Sequence, residues 1–330
     1  MTPARALTPG LLAASLLAIF AACLLGSTPL PAGRVLAAFL GGAETGDRLV
    51  VWSIRLPRAA AAFLVGAALG LSGAALQGLL RNPLAEPGVL GVSATASLAA
   101  TVSLYYGLVA ISAWVLPLAA IAGALAATAL LAFAAIRTRS VVTLILIGVG
   151  LSSFAGALMS LLLNLAPNPF SLSDMINWML GSVANRSFDE IGLALPFLVA
   201  GSAILLATGR GLSALTLGED AASGVGLDLR RQRIFTVLGA GLATGASVAL
   251  AGAIGFVGIV APHLVRPLVG HDPARSLIPS ALLAGLILVV ADIGVRIMPT
   301  DGELKLGVVA ALIGAPVFVW IAMQRRAVHD

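Results

Sequence analysis

Few residues of this chain could carry out covalent or metal chemistry. Its three histidines, His263, His271 and His329, stand in separate segments without the spacing of metal ligands. The single cysteine, Cys23, excludes intrachain disulfides and clusters of thiolate ligands. We therefore expect neither a metal site nor a catalytic residue in this chain.

Nucleotide hydrolysis is also excluded by the residues present. A phosphate-binding loop needs glycine, lysine and then serine or threonine, but the only lysine, Lys305, lies between two leucines. Glycine clusters at residues 148–156 and 239–245 lie in apolar stretches, where small residues allow helices to pack closely. The chain therefore cannot hydrolyse ATP by itself, and we expect it to bind no cofactor.

Charged residues are concentrated in one short segment, residues 217–233. Six of its seventeen residues are charged, although charged residues make up 10% of the whole chain. This composition indicates that the segment faces water between two apolar stretches. From these residues alone, a docking surface for a partner and a solvated connector are equally open interpretations.

Three arginines lie at the ends of apolar stretches, where their guanidinium groups can be presented to one side of the membrane. Arg55 and Arg58 stand three residues apart at the start of an apolar stretch, which places both on one helical face. Arg296 ends another apolar stretch on the same predicted side. The alternative is interfacial snorkelling of these side chains, with a pair between Asp292 and Arg296 one helical turn apart.

The elements that must position these residues are predicted to be membrane-spanning helices. Hydrophobic residues make up 59% of the 330-residue chain, and the mean hydropathy is +1.06. Nine apolar runs approach the roughly 20 residues needed to cross a bilayer. They begin near Leu11, Ala59, Leu90, Ala113, Val141, Ile191, Ile234, Leu277 and Leu306. A tenth run, residues 253–270, is short and interrupted by prolines, as in a broken helix.

These runs predict an all-α, polytopic membrane protein of about ten transmembrane helices in a single domain, residues 1–330. An even number of spans places both termini on one side, and Arg5, Arg325 and Arg326 make both ends basic. With cytoplasmic termini, twelve of the nineteen basic residues fall on the cytoplasmic side, in accord with the positive-inside rule. Topology thus explains the pI of about 10.6, and no basic run with interleaved aromatic residues indicates nucleic-acid binding.

Three long stretches make the function more specific. They are RLPRAAAAFLVGAALGLSGAALQGLLRNPLAEPGVLGVS (residues 55–93), GAIGFVGIVAPHLVRPLVGHD (252–272) and ADIGVRIMPTDGELKLGVVAALIGAPVF (291–318). Together with NWMLGS (177–182), they closely resemble the permease subunits of iron-siderophore, haem and vitamin B12 ABC importers, in the order of that family. Lys305 stands where the family usually has proline.

The resemblance implies a type II ABC importer permease fold in the inner membrane of a bacterium. Ten-helix subunits of this family pair around a central translocation path, so a second permease copy, forming a homodimer, is expected. The family receives its cargo from a periplasmic substrate-binding protein. Two cytoplasmic ATP-binding subunits, which hold ATP and Mg, supply the driving force.

The resemblance also assigns roles to the charged segment and to the arginines. Residues of about 212–233 are similar to the coupling loop that docks into the ATPase. Gly218, Gly224 and Gly226 are expected to break this loop into short helical pieces. The predicted docking residues are Leu217, Gly218, Glu219, Val225, Gly226 and Leu227. The two leucines and the valine would be the anchors, with Arg230, Arg231 and Arg233 at the rim or lipid surface. Glutamates of the binding protein are expected to dock on Arg55, Arg58 and Arg296.

Two further sites are predicted along the translocation path. Val141 and Val142 open the fifth span where the family has its cytoplasmic gate, and plain packing at the membrane boundary is the alternative.

Arg186 is predicted at the outer mouth, where it could bind anionic cargo. This favours haem over a ferric siderophore, with cobalamin third. The alternative is that Arg186 balances Asp189 and Glu190 at the start of the sixth span.

A second class of function, an ATP-independent channel or ion-coupled carrier, is compatible with the composition. A carrier is expected to bury ionisable residues in mid-span for its coupling ion. Asp292 is the only acidic residue that the sequence places near a span interior. This scarcity favours the importer.

Overall fold

The computed structural model of the chain describes residues 3–26, 30–138, 140–298 and 302–324. Within these ranges all regular structure is helical, which confirms the predicted all-α class. The α-helices are α1 (Pro3–Leu24), α2 (Ala32–Leu40), α3 (Thr45–Leu49), α4 (Leu56–Leu80), α5 (Val92–Tyr105), α6 (Val115–Arg137), α7 (Val141–Asn164), α8 (Pro169–Met179), α9 (Phe188–Ala207), α10 (Gly209–Ala214), α11 (Glu219–Gly224), α12 (Leu229–Ala251), α13 (Val257–Val265), α14 (Pro273–Ile297) and α15 (Leu306–Gln324).

In the described part of the chain, an apolar helical segment lies in each of the ten predicted spans. Among the described residues, seven are long and apolar enough to cross a membrane. They are Ala6–Leu24, Thr45–Leu80, Val115–Arg137, Val142–Asn164, Phe188–Ala207, Leu229–Ala251 and Pro273–Ile297. Three are shorter, namely Val92–Tyr105, Val257–Val269 and Leu306–Val319.

Two segments depart from the predicted lengths. The span predicted to begin near Leu90 has a helix of only 14 residues, α5, which rises about 21 Å against the roughly 30 Å of a hydrocarbon core. A 3-10 turn, Pro87–Leu90, precedes it. Irregular backbone buried among other helices therefore crosses part of the membrane thickness that α5 does not. The span predicted near Ala59 is longer, because helical structure continues from Thr45 through a π-helical stretch, Val50–Arg55, into α4.

Helix α4 lies at the centre of the bundle. It packs against α12, α13 and α14, and most of its side chains are buried. A Cβ atom on Gly73 would lie 1.8 Å from the carbonyl oxygen of Gly258 in α13, and one on Gly66 would lie 2.4 Å from that of Ala284 in α14. Because no side chain fits at either place, these glycines set the spacing of the helices.

The two ends of the bundle carry different predicted sites. We call the end that carries residues 209–228 the coupling face, and the end that carries Arg55, Arg58 and Arg296 the arginine face. Helix α4 connects them, since its 25 residues rise about 37 Å. Helix α14 also runs between the two faces, from Pro273 to Ile297.

Candidate functional site: the coupling face and the arginine face

The connection between α9 and α12 is built from short helical pieces. α10 is followed by a 3-10 turn, Leu215–Leu217, and then by α11. Gly218 and Gly226 flank α11 with φ angles of 100° and 90°, where residues with a Cβ are strained. The predicted division of this loop by glycines is therefore confirmed, although Gly224 is the last residue of α11 and not a break.

Two apolar side chains of this connection face solvent. Leu217 is 68% exposed and Val225 is 71% exposed. Leu227 differs from them, because it packs against the core, with its Cδ1 atom next to Gly211 of α10. The three predicted anchors therefore separate into two that a partner can reach and one that belongs to the fold.

An ion pair joins α11 to α12. The Nη2 atom of Arg233 donates to Oε1 of Glu219 at 2.8 Å, and the Arg233 side chain is only 7% exposed. The prediction that Arg233 lies at the rim or lipid surface is wrong, because its guanidinium group turns inward to this carboxylate. Arg230 and Arg231 do lie exposed.

Two hydrogen bonds attach the same connection to other long helices. The Nε2 atom of Gln232 in α12 donates to the carbonyl oxygen of Thr208 at 3.0 Å. The hydroxyl of Ser213 in α10 donates to Asp272, whose carboxylate also caps the first turn of α14. The connection is thus held to α12 and α14 while Leu217 and Val225 stay uncovered.

A buried charge cluster occupies the arginine face. Arg58 donates to both carboxylate oxygens of Asp292, at distances from 2.7 to 3.1 Å, and also to Glu303. Arg296, one turn along α14, lies 2.9 Å from Asp292. Asp292 itself is 1% exposed. The pair between Asp292 and Arg296, considered as the alternative to docking, is therefore present within a larger cluster.

Carbonyl oxygens at the end of α1 accept hydrogen bonds from the same cluster. The Nη1 atom of Arg55 donates to the carbonyls of Cys23 and Leu24 at 2.9 and 3.0 Å. The Nη1 atom of Arg296 donates to the carbonyl of Ala22 at 3.0 Å. The last carbonyls of a helix lack intrahelical donors and carry partial negative charge, so guanidinium groups satisfy them. The cluster thus ties α1 to α4 and α14.

The expectation that all three arginines present their guanidinium groups to solvent is wrong for this structure. Arg55 and Arg58 are buried, and so is the side chain of Arg296. The reason is the supply of acceptors inside the chain, which the spacing of the arginines does not reveal. Docking of a binding protein on these residues stays a prediction.

A polar cavity lies at the same end of the bundle, beyond the ends of α5 and α12. Its volume is about 330 Å³, and its polar lining includes Asp174, Asn177, Arg186 and Lys305. Arg186 forms an ion pair with Glu190 one turn away, and its guanidinium carbon lies 5.7 Å from the centre of the Trp178 ring. The alternative predicted for Arg186, a pair with a nearby acid, is therefore the arrangement observed.

The predicted gate lies at the first turn of α7, on the side of the coupling face. Ser140 caps this helix by accepting a hydrogen bond from the amide of Thr143. Val142 is exposed, while the side chain of Val141 lies outside the described residues. Further along α7, Leu146 and Phe154 are exposed as well, so an uncovered apolar surface runs along the helix from the gate position.

One partly buried acid was missed by the sequence analysis. Glu86 follows α4 in a loop that turns back into the bundle, and its carboxylate accepts a hydrogen bond from the amide of Phe256 at 3.3 Å. Both residues line a cavity of about 120 Å³ with Leu69, which is near the middle of α4. The prediction that Asp292 alone is acidic near a span interior is therefore wrong. The two prolines around Glu86 in NPLAEPG could have indicated irregular backbone within the bundle.

Comparison with known proteins gives a consistent result over nearly the whole chain. Residues 13–324 match the FecCD transport family. A solved structure of an inward-facing metal-chelate type ABC transporter superposes with a TM-score of 0.84 and 28% sequence identity. The match covers 97% of this chain and 99% of that one.

Several curated relatives are more similar in sequence. The uncharacterized ABC transporter permease protein YvrB of Bacillus subtilis (strain 168) is 43% identical over 84% of this chain and 79% of its own length. The vitamin B12 import system permease protein BtuC of Citrobacter koseri is 41% identical, and that of Salmonella paratyphi A is 42% identical. Each of these two matches covers 84% of both chains.

Proposed function

The chain belongs to the FecCD transport family, and from this we propose that two copies of it form the translocation path of a binding-protein-dependent importer. It is a multi-pass ABC transporter permease. In the proposed assembly, two ATP-binding subunits dock on the coupling face in the cytoplasm of a bacterium. A substrate-binding protein delivers cargo to the arginine face from the periplasm.

The observation that carries this proposal is the exposure of Leu217 and Val225. Both are apolar, yet both stand in solvent on a connection that ion pairs and hydrogen bonds hold in place. An apolar side chain exposed on a well-anchored surface is suited to a pocket on a partner, where burial of the side chain stabilises the complex. The ATPase is the partner that this family supplies at such a loop.

Reconstitution in proteoliposomes tests the proposal against its alternative class. The permease is reconstituted with and without the ATPase, and cargo uptake is measured with and without ATP. We expect uptake only when both are present. Glu86 is a partly buried acid within the bundle that an ion-coupled carrier could use, so uptake that persists without ATP would support the carrier and refute the importer.

For the cargo, we propose a corrinoid of the cobalamin class first, and haem or a ferric siderophore second. Two relatives above 40% identity are vitamin B12 permeases by name. The argument for haem needed Arg186 to be free for an acidic group, but that guanidinium pairs with Glu190. The adjoining cavity also contains Asp174, whose carboxylate would repel the propionates of haem.

A competition experiment separates these cargoes. Uptake of labelled cobalamin into proteoliposomes is measured in the presence of unlabelled haem or a ferric siderophore, each with the cognate binding protein. We expect cobalamin to be transported and the other two to compete poorly. Replacing Arg186→Ala should then leave cobalamin uptake nearly unchanged, whereas a large loss of haem uptake in that variant would restore haem as the cargo.

The cytoplasmic gate is proposed at Val142 and its neighbour Val141, repeated in the second copy. Apolar side chains facing one another can close a path by excluding water. We expect the double change Val141→Ser and Val142→Ser to raise the passive leak of reconstituted vesicles without loss of assembly. Vesicles that stay as tight as wild type would argue for simple packing at the membrane boundary.

A further inference from the structure

The ion pair between Glu219 and Arg233 occupies an unusual place for a charge interaction. It joins α11, the short helix that lies between the exposed Leu217 and Val225, to the second turn of α12. The Arg233 side chain is 7% exposed and that of Glu219 is 36% exposed, so desolvation of the arginine and solvent screening of the glutamate both limit the net stability that the pair contributes. What such a pair does provide is a fixed distance and direction between two elements.

Helix α12 is suited to carry a displacement across the bundle. It is unbroken over 23 residues, about 35 Å at 1.5 Å per residue, and it packs against α4, α6 and α9. At its far end the carbonyl of Ala251 accepts a hydrogen bond from the amide of Ser182 at 2.7 Å. Ser182 and Ala251 both line the polar cavity near the arginine face.

The contacts around the ion pair restrict the direction in which the connection can move. A Cβ atom on Gly211 would lie 2.1 Å from Oε1 of Gln232, so α10 and the first turn of α12 are in direct contact. Since Gln232 also holds the Thr208 carbonyl, the start of α12 is fixed on two sides. A movement of Leu217 or Val225 is therefore passed to α12 through Glu219, because the surrounding contacts leave the connection little room to shift relative to α12.

We propose that the Glu219–Arg233 pair is a positioning contact that transmits movement of the docked ATPase to α12, and that it does not itself recruit the ATPase. This inference rests on the proposed function, because it needs an ATPase bound at Leu217 and Val225. It replaces the docking role predicted for Glu219, whose carboxylate pairs with Arg233, and it separates two properties of the coupling face. The exposed apolar side chains hold the partner, and the Glu219–Arg233 pair passes on its motion.

The test uses the complete complex of permease, ATPase and binding protein in proteoliposomes. Three quantities are measured for each variant: the ATPase retained on purification, the rate of ATP hydrolysis, and the cargo transported per ATP. Glu219→Gln has the shape of the native side chain and removes only its charge. We expect unchanged ATPase retention, continued hydrolysis, and about a three- to tenfold drop in cargo per ATP.

A second ion pair at the same end of the bundle, in the first turn of α14, provides the matched control. Arg275 lies 3.3 Å from Asp272, but its side chain is 73% exposed. Arg275→Gln also removes one charge at this end of the bundle, and Asp272 can still cap α14 through the Ala274 amide. We expect this variant to transport as much cargo per ATP as wild type.

A double-mutant comparison distinguishes the pair from either residue alone. If the two charges act as one contact, Glu219→Gln combined with Arg233→Gln should be no worse than the more severe single variant. The inference is overturned by wild-type cargo per ATP in Glu219→Gln, by loss of the ATPase from that variant, or by additive losses. Failure of the wild-type permease to retain any ATPase would instead reject the proposed function.

Discussion

At the arginine face, charged side chains turn inward and pair with one another, whereas at the coupling face two apolar side chains point out into solvent. Arg58 and Arg296 both form ion pairs with Asp292 within the chain. Leu217 and Val225 are mostly exposed. Each face thus reverses the usual pattern, in which charged side chains are exposed and apolar side chains are buried.

The difference shows that the role of a side chain depends on the acceptors and contacts around it. Arginines near a predicted surface suggest recognition of an external acid, but here an internal acid and the end of α1 supply the acceptors. Apolar residues in a charged segment suggest a small local core, yet two of them are left uncovered. A polar group without a hydrogen-bond partner, or an apolar side chain left exposed, is therefore a better guide to a partner protein than residue type alone.

The largest effect is expected from removing the carboxylate at the centre of the arginine face. Asp292→Asn leaves Arg58 and Arg296 buried without their shared counter-ion, which we expect to cost about 3–5 kcal/mol of stability. Thermal unfolding of the purified permease in detergent measures this loss. Asp189→Asn, which changes an exposed carboxylate, should melt close to wild type. If both variants melt alike, the cluster does not stabilise the bundle.

The next largest effect is expected at the coupling face, on binding and not on folding. Leu217→Asp or Val225→Asp places a charge in the docked interface, and we expect each to weaken ATPase binding by at least about 2 kcal/mol. Co-purification of the ATPase reports binding, and thermal unfolding of the permease alone should be unchanged. Leu227→Asp should show the reverse pattern, because that side chain packs inside the chain. Full ATPase recovery with both exposed positions changed would reject docking there.

The smallest effect sharpens the role of the arginine face in docking. Reversing the arginines would damage the cluster itself, so Glu303→Gln is the milder test, since Glu303 is the less buried partner of Arg58. If Arg58 receives glutamates of the binding protein, removing this competitor should speed association up to about fivefold at low salt. The gain should fade as salt is raised. An association rate equal to wild type at low salt would leave the cluster a purely structural role.

The sequence predicted the class, the number of spans and the division of the coupling segment. Runs of apolar residues are a local property, and the thickness of a bilayer sets the length that most of them approach. Gly218 and Gly226 were predictable for the same reason, because their conformations depend on the backbone at those positions alone. The motifs that resemble the family also predicted the function, because they are long and occur in the family's order.

Only the tertiary structure decided which charged and apolar side chains are free. The partners of Arg58 and Arg233 lie 234 and 14 residues away along the chain, respectively, and no spacing rule connects them. The depth of Glu86 likewise follows from a loop that folds back beside Phe256, not from the hydropathy of its neighbours. Local sequence fixes what a segment can be, but the burial of a charge depends on which distant acceptors folding brings within hydrogen-bonding distance.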